Sequence, residues 1–233
     1  MQTWKEHYRR LARSSRQEGL SFAVLLWLFI AGSLLGFVAE GVFHLIRKGT
    51  WAFRVGTLWG PFCVLYGFGV VAMHLVALSI RHKKPLRQFL VFALTGSAVE
   101  LLAGLFQKSV FGTQSWNYAS HAINLGGYIS LRMTLIWGLA GIALMYGVLP
   151  FLLSAFNHLQ LARHTCLCRA AATFMAVNLL ATTCALLRWQ ERVIAASPAS
   201  NAVEAYMDVR WPDERMQARF PNMEFVSKTC DGL

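Results

Sequence analysis

From Leu20 to about Ile46 the chain carries no lysine or arginine and a single carboxylate, Glu40. A stretch this long and apolar crosses the ~30 Å hydrocarbon core of a bilayer as one helix. It is far too long for the apolar region of a signal peptide, which runs about 7 to 15 residues, so it is expected to be a retained first span. Comparable blocks follow at about Leu58–Ile80, Leu86–Phe106 and Ile129–Phe156. A fifth, Cys168–Leu187, is shorter and carries Asn178, Thr182 and Thr183. Only 14% of the residues are charged, against about a quarter in ordinary soluble domains, which leaves no room for a large soluble catalytic domain. The expectation is an all-α polytopic transmembrane bundle of about five spans. It divides into a basic amphipathic arm over 1–19, the bundle over 20–188 and a polar tail over 189–233. Pro150, near the end of the fourth block, predicts a kink or stop there.

The formal net charge of +11 is not a nucleic-acid signature, because the basic residues sit at helix ends and in short loops rather than on one face. They read as topology. Lys5, Arg9, Arg10, Arg13 and Arg16 of the arm share one side with Arg81, Lys83, Lys84 and Arg87 and with Arg163 and Arg169. The opposite side holds only Arg47, Lys48, Arg54, Lys108 and Arg132. Positive charge accumulates in cytoplasmic loops, so the N-terminus is expected in the cytoplasm. The side of the tail depends on whether the fifth block crosses. In the arm, Trp4, Tyr8 and Leu11 form a stripe suited either to a helix at the headgroup level or to a solvated basic segment. The five cysteines form no disulfide framework.

Ionisable residues inside a membrane are costly and usually face an interior. Glu40 and Glu100 are two such residues, both in the outer half of spans that run in the same direction, so they can meet at one site. Gly36-Phe37-Val38-Ala39-Glu40 and Gly96-Ser97-Ala98-Val99-Glu100 share the pattern Gly-x-x-x-Glu, each followed by a loop and a Gly-rich span. This hints at a two-span duplication of the kind that builds central sites in transporters; the competing reading is that the acids only glue helices together. His44, one turn beyond Glu40, makes two potential ligands, too few for a metal site, and no metal or cofactor is expected. The aromatic loop Gln107–Tyr128, with Phe111, Trp116, Tyr118, His121 and Asn124, suits either a capping element over a cavity or an interfacial belt. Arg132 either offsets one of the acids or snorkels to the interface. Gly32 with Gly36, Gly56 with Gly60, and Gly138 with Gly141 predict close helix approach. No phosphate-binding Gly-x-x-x-x-Gly-Lys-Ser/Thr loop, serine elbow or His-Glu-x-x-His helix occurs.

Taken together, Gly36…Glu40, Trp59-Gly60-Pro61-Phe62, Leu65-Tyr66-Gly67-Phe68-Gly69, Val99-Glu100, Phe111-Gly112, Trp116-Asn117-Tyr118, Asn124-Leu125-Gly126-Gly127-Tyr128 and Trp137-Gly138 resemble the CmpB-type bacterial membrane proteins, a family of putative type IV ABC-transporter permeases. Phe220-Pro221-Asn222-Met223 in the tail also fits. The resemblance implies a permease subunit of a bacterial inner membrane, with a separate ATP-binding subunit as partner besides the lipid bilayer and a second copy of the chain. The substrate or ion site expected from the residues comprises Glu40, Glu100 and Tyr66, with Trp116, Asn117, Tyr118 and Asn124 at its outer mouth and Arg132 nearby. The chain departs from the family pattern at Asn117 and Gln107, where the family commonly has acids. Two rival readings remain: a membrane-embedded enzyme using Glu40 or Glu100 with His44 or His121 on a lipid-derived substrate, and a non-catalytic sensor or assembly factor.

Overall fold

The structure, a computed structural model, describes residues 20–51, 53–161 and 163–226; the basic arm and Cys230 lie outside these. The architecture is an all-α polytopic bundle. Helix α1 (Phe22–Lys48) and helix α3 (Pro85–Phe111) run in one direction, and α2 (Val64–Ile80) runs back between them. The fourth span is continuous over Leu131–His158 but built in three pieces: α4 (Leu131–Ala143), a π turn (Leu144–Val148) and α5 (Leu149–His158). The fifth is α6 (Thr165–Ala195). Four of these spans are long and apolar enough to cross a membrane, and α2 is a shorter apolar helix.

Side-chain caps and glycines set the ends. The Ser21 and Ser130 hydroxyls accept from the backbone of Val24 and Met133 at the starts of α1 and α4. Gly49 and Gly112, at φ of 71° and 59°, end α1 and α3 in the left-handed conformation that favours glycine. Pro150 does not stop the fourth span. Its missing N–H leaves the carbonyl one turn earlier without a partner, and the π turn immediately upstream absorbs the mismatch, as single wide turns do within helices.

The second span differs from the sequence expectation. Residues 58–63 are irregular, and the helix starts only at Val64. Gly56 and Gly60 therefore lie in a folded-back segment rather than on a helix face. Pro61 and a Gly60 at φ of 74° break the helix, and α6 supplies the partners that the freed backbone needs. Thr182 Oγ1 accepts from the Leu58 N–H at 2.9 Å. Asn178 Oδ1 accepts from the Trp59 N–H at 3.2 Å, and its Nδ2 donates to the Trp59 carbonyl at 2.8 Å. The Cys63 N–H donates to the Ser33 carbonyl of α1 at 3.0 Å. Asn178 is wholly buried. The polar residues that weaken the fifth block as a span are thus the ones that allow irregular backbone inside the bundle, where protein must replace water as partner.

The end of α6 settles the side of the tail. Helices α7 (Ala202–Arg210) and α8 (Asp213–Arg219) fold back on the end of the bundle that holds the α1–α2 and α3–α4 loops. Strand β4 (Glu224–Phe225) pairs antiparallel with β1 (Thr113–Gln114), just past α3. Arg219 donates to the carbonyls of Thr57 and Gly60. Met207, Trp211, Met216 and Phe220 form an apolar core with Leu58, Phe111, Leu186 and Trp189. A second core inside the bundle joins Leu28, Met73, Phe92, Trp137, Met145 and Leu149. The cap is pinned electrostatically as well: Asp208 receives Arg188 at 2.8 Å and Arg192 at 2.6 Å, and these guanidinium bonds lower its carboxyl to about 2.

Two outcomes follow. Asn178→Leu orphans both polar groups of the Trp59 peptide and should cost about 1–3 kcal/mol of unfolding free energy in detergent; a loss below ~0.3 kcal/mol would mean that the irregular segment does not depend on it. Asp208 has a folded-state pKa below its ordinary 3.8, so its stabilisation is complete above pH ~4 and is lost as pH falls through about 2. Amide exchange of residues 202–219, corrected for intrinsic rates, should rise across that window in the parent and show a much smaller change in Asp208→Asn.

Candidate functional site

At ~1.5 Å per residue, Glu40 lies about 12 Å and Glu100 about 17 Å from the ends of α1 and α3. Both carboxylates are therefore well inside the bundle and at similar depth. Glu40 is half-buried and takes two bonds: the Tyr66 hydroxyl donates to Oε1 at 2.6 Å, and Arg54 Nη1 donates to Oε2 at 3.1 Å. Glu100 is 3% exposed. It also takes two bonds, from the Tyr118 hydroxyl at 2.8 Å and from the Trp137 indole N–H at 3.0 Å. No ion pair reaches Glu100 among the described residues. Burial, with the Glu100 carboxylate beside it, pushes the pKa of the Tyr118 hydroxyl up, which keeps it a proton donor.

The glycine one turn before each acid explains why the donor arrives there. A Cβ on Gly36 would lie 2.4 Å from Cβ and Cγ of Tyr66, and a Cβ on Gly96 would lie 2.5 Å from the same atoms of Trp137. In both helices the missing side chain seats an aromatic ring of the next span, and the acid one turn on accepts that ring's polar hydrogen. Side chains four apart share one helix face, so the pattern Gly-x-x-x-Glu is a seat and an acceptor in register. The loop after each helix adds the second donor, Arg54 in one case and Tyr118 in the other.

The two units touch. The Tyr66 and Trp137 rings lie 5.8 Å apart at 46°. The two hydrogen-bonded groups, Glu40 with Tyr66 and Arg54 and Glu100 with Tyr118 and Trp137, therefore adjoin through the Tyr66–Trp137 ring contact.

A family profile described as putative ABC-transporter type IV, of the CmpB type, matches residues 27–183 of this chain. The chain belongs to that family. The matched region contains both Gly-x-x-x-Glu units, both loops and the α6 residues that hold the irregular segment, and it stops short of the cap. No curated protein and no solved structure matches the chain.

The remaining residues expected at the site shape the loop rather than line the cluster. Trp116 Nε1 donates to the Tyr128 carbonyl at 2.9 Å. Asn117 and Asn124 are exposed. Asn117 Oδ1 accepts from the Ala119 N–H at 2.8 Å. Asn124 donates to the His121 carbonyl at 2.8 Å and accepts from the Gly127 N–H at 3.0 Å, beside the short hairpin of β2 (Asn124–Leu125) and β3 (Ile129–Ser130). The two departures from the family pattern have a local reading: Asn117 uses only its oxygen, as an aspartate would, whereas Gln107 donates to Ser115 at 2.6 Å and Thr113 at 3.3 Å. Arg132 is exposed and pairs with neither acid, and His44 turns away to the Thr50 carbonyl at 2.7 Å. Sequence reasoning missed Arg54 and Trp137 as partners. Trp137 had a usable signal in the Trp-Gly pair of the fourth span; Arg54 had none beyond its place in the loop after Glu40.

Gly96→Ala should destabilise the detergent-solubilised protein by about 1–3 kcal/mol, the usual cost of overpacking. Gly69→Ala, whose Cβ would meet Trp137 no closer than 3.8 Å, should change stability by less than ~0.5 kcal/mol. Equal melting shifts in the two variants would contradict the seat.

Proposed function

We propose that this chain is the membrane-spanning permease subunit of a transporter in a bacterial inner membrane, with its N-terminus in the cytoplasm, and that Glu40 and Glu100 form one interior site on the path of the substrate or a coupling ion. The observation that carries this reading is the connected cluster of two intramembrane carboxylates on parallel helices. Intramembrane acids are retained at a cost of several kcal/mol and mark substrate, ion or proton pathways. Family membership supports the transport class. Tyr66 bonds Glu40 and its ring meets Trp137, the partner of Glu100, and in this reading the loop bearing Trp116, Asn117, Tyr118 and Asn124 forms the mouth. The transport bundle in this reading is residues 20–188. The sequence contains no phosphate-binding loop, so ATP hydrolysis belongs to a separate ATP-binding subunit.

Glu40→Gln, Glu100→Gln and the double variant, each present in the membrane at parental abundance, test this by growth or uptake. The expected result is a loss of at least about tenfold, or 1.4 kcal/mol of coupling, equal in singles and double because one site is disabled in each. Full function in all three overturns the site and leaves a scaffold or sensor. Loss of a lipid conversion rather than of uptake would make the chain a membrane enzyme.

A further inference from the structure

Apart from Met207, which packs into the cap core, helix α7 is inside-out for a helix in water. Its two acids point inward: Asp208 binds Arg188 and Arg192, and Glu204 lies 3.8 Å from Arg188. Its outward face carries Val203, Tyr206 and Val209, which are 59%, 60% and 86% exposed. The only charge on that face is Arg210, also exposed. A surface helix facing water shows the reverse arrangement, with an apolar stripe inward and charges outward. The inversion is what a helix acquires when the surroundings beyond it are apolar.

Its position identifies those surroundings. The arginines that hold α7 belong to the last turns of α6, a span in its own right, and the final turn of that span exposes Val193 and Ile194. The helix is therefore tied to the bundle where a span leaves the bilayer. Arg215 of α8 donates to the Arg210 carbonyl at 3.1 Å and sets a second cation beside this face, a charge complementary to lipid phosphates. We propose that α7 is an interfacial membrane helix, with Val203, Tyr206 and Val209 immersed at the headgroup–acyl boundary of the leaflet on the tail's side and Arg210 and Arg215 directed to lipid phosphates. Such helices bury an apolar face about 5–10 Å into the interface and gain from nearby basic residues. The cap is then seated on lipid as well as on protein, and this holds whatever the bundle transports.

The test uses the full chain in lipid nanodiscs, with native cysteines replaced and a nitroxide at Tyr206→Cys, Val209→Cys or, on the exposed side of α8, Glu214→Cys. Collision with oxygen reports lipid, and collision with a water-soluble nickel chelate reports water. The expected result is oxygen preference at 206 and 209 and nickel preference at 214. Nickel preference at all three positions overturns the proposal. Spin–spin broadening at 209 without oxygen preference overturns it too, by placing a second copy on this face. If the cysteine-replaced background fails to fold, a photoreactive benzophenone side chain in place of Tyr206 in the native chain gives the same decision. Phospholipid adducts are expected, and crosslinks to protein alone, or no crosslinks, count against it.

Discussion

Inside a bilayer there is no water to satisfy a stray peptide group or carboxylate, and this one constraint organises the whole bundle. It accounts for the polar positions of α6: Asn178 and Thr182 are buried because the chain between Gly56 and Cys63 has left the helical ladder and needs partners. It accounts equally for the acids. Each carboxylate accepts two donors supplied from other elements, which offsets the loss of water around it.

The same constraint gives the glycines their meaning. At Gly36 and Gly96 the helices come close enough for a ring to occupy the place of a side chain, and the acid one turn on sits where the ring's hydrogen points. Two units with the same logic, on parallel helices of the same length, are what an internal duplication of two spans produces. They differ in one respect that bears on chemistry. The first acid is balanced by Arg54, and the second meets only neutral donors. The cap sits outside this paired unit. It locks the irregular segment through Arg219 and extends α3 through the β1–β4 pair, tying the tail to the loops above the cluster.

Much of this was legible in the sequence. Hydropathy blocks of spanning length mark the bundle, and the positions of Glu40 and Glu100 in parallel spans put both acids in the same half of the membrane. What was not legible depended on backbone leaving its expected path. The second block looked helical from Leu58 because its composition is apolar, yet Gly60 and Pro61 broke it once α6 supplied partners more than a hundred positions away. Arg132 and Arg54 are the same residue type near span ends, and only the fold of the loop after α1 turns Arg54 onto Glu40. The side of the tail depends on whether the fifth block crosses, and the ion pairs of Arg188 and Arg192 that pin the cap join residues 20 and 16 positions apart.

The central claim is that the two acids belong to one connected cluster rather than to two independent helix contacts. The most direct measurement is a double-mutant cycle of Tyr66→Phe and Tyr118→Phe, read as unfolding free energy of the detergent-solubilised protein. Each substitution removes one hydroxyl from one acid and leaves the ring in place. The account predicts a coupling energy of about 0.5–1 kcal/mol, as for residues that share a network. Losses that simply add, within ~0.3 kcal/mol, would contradict it and separate the two sites.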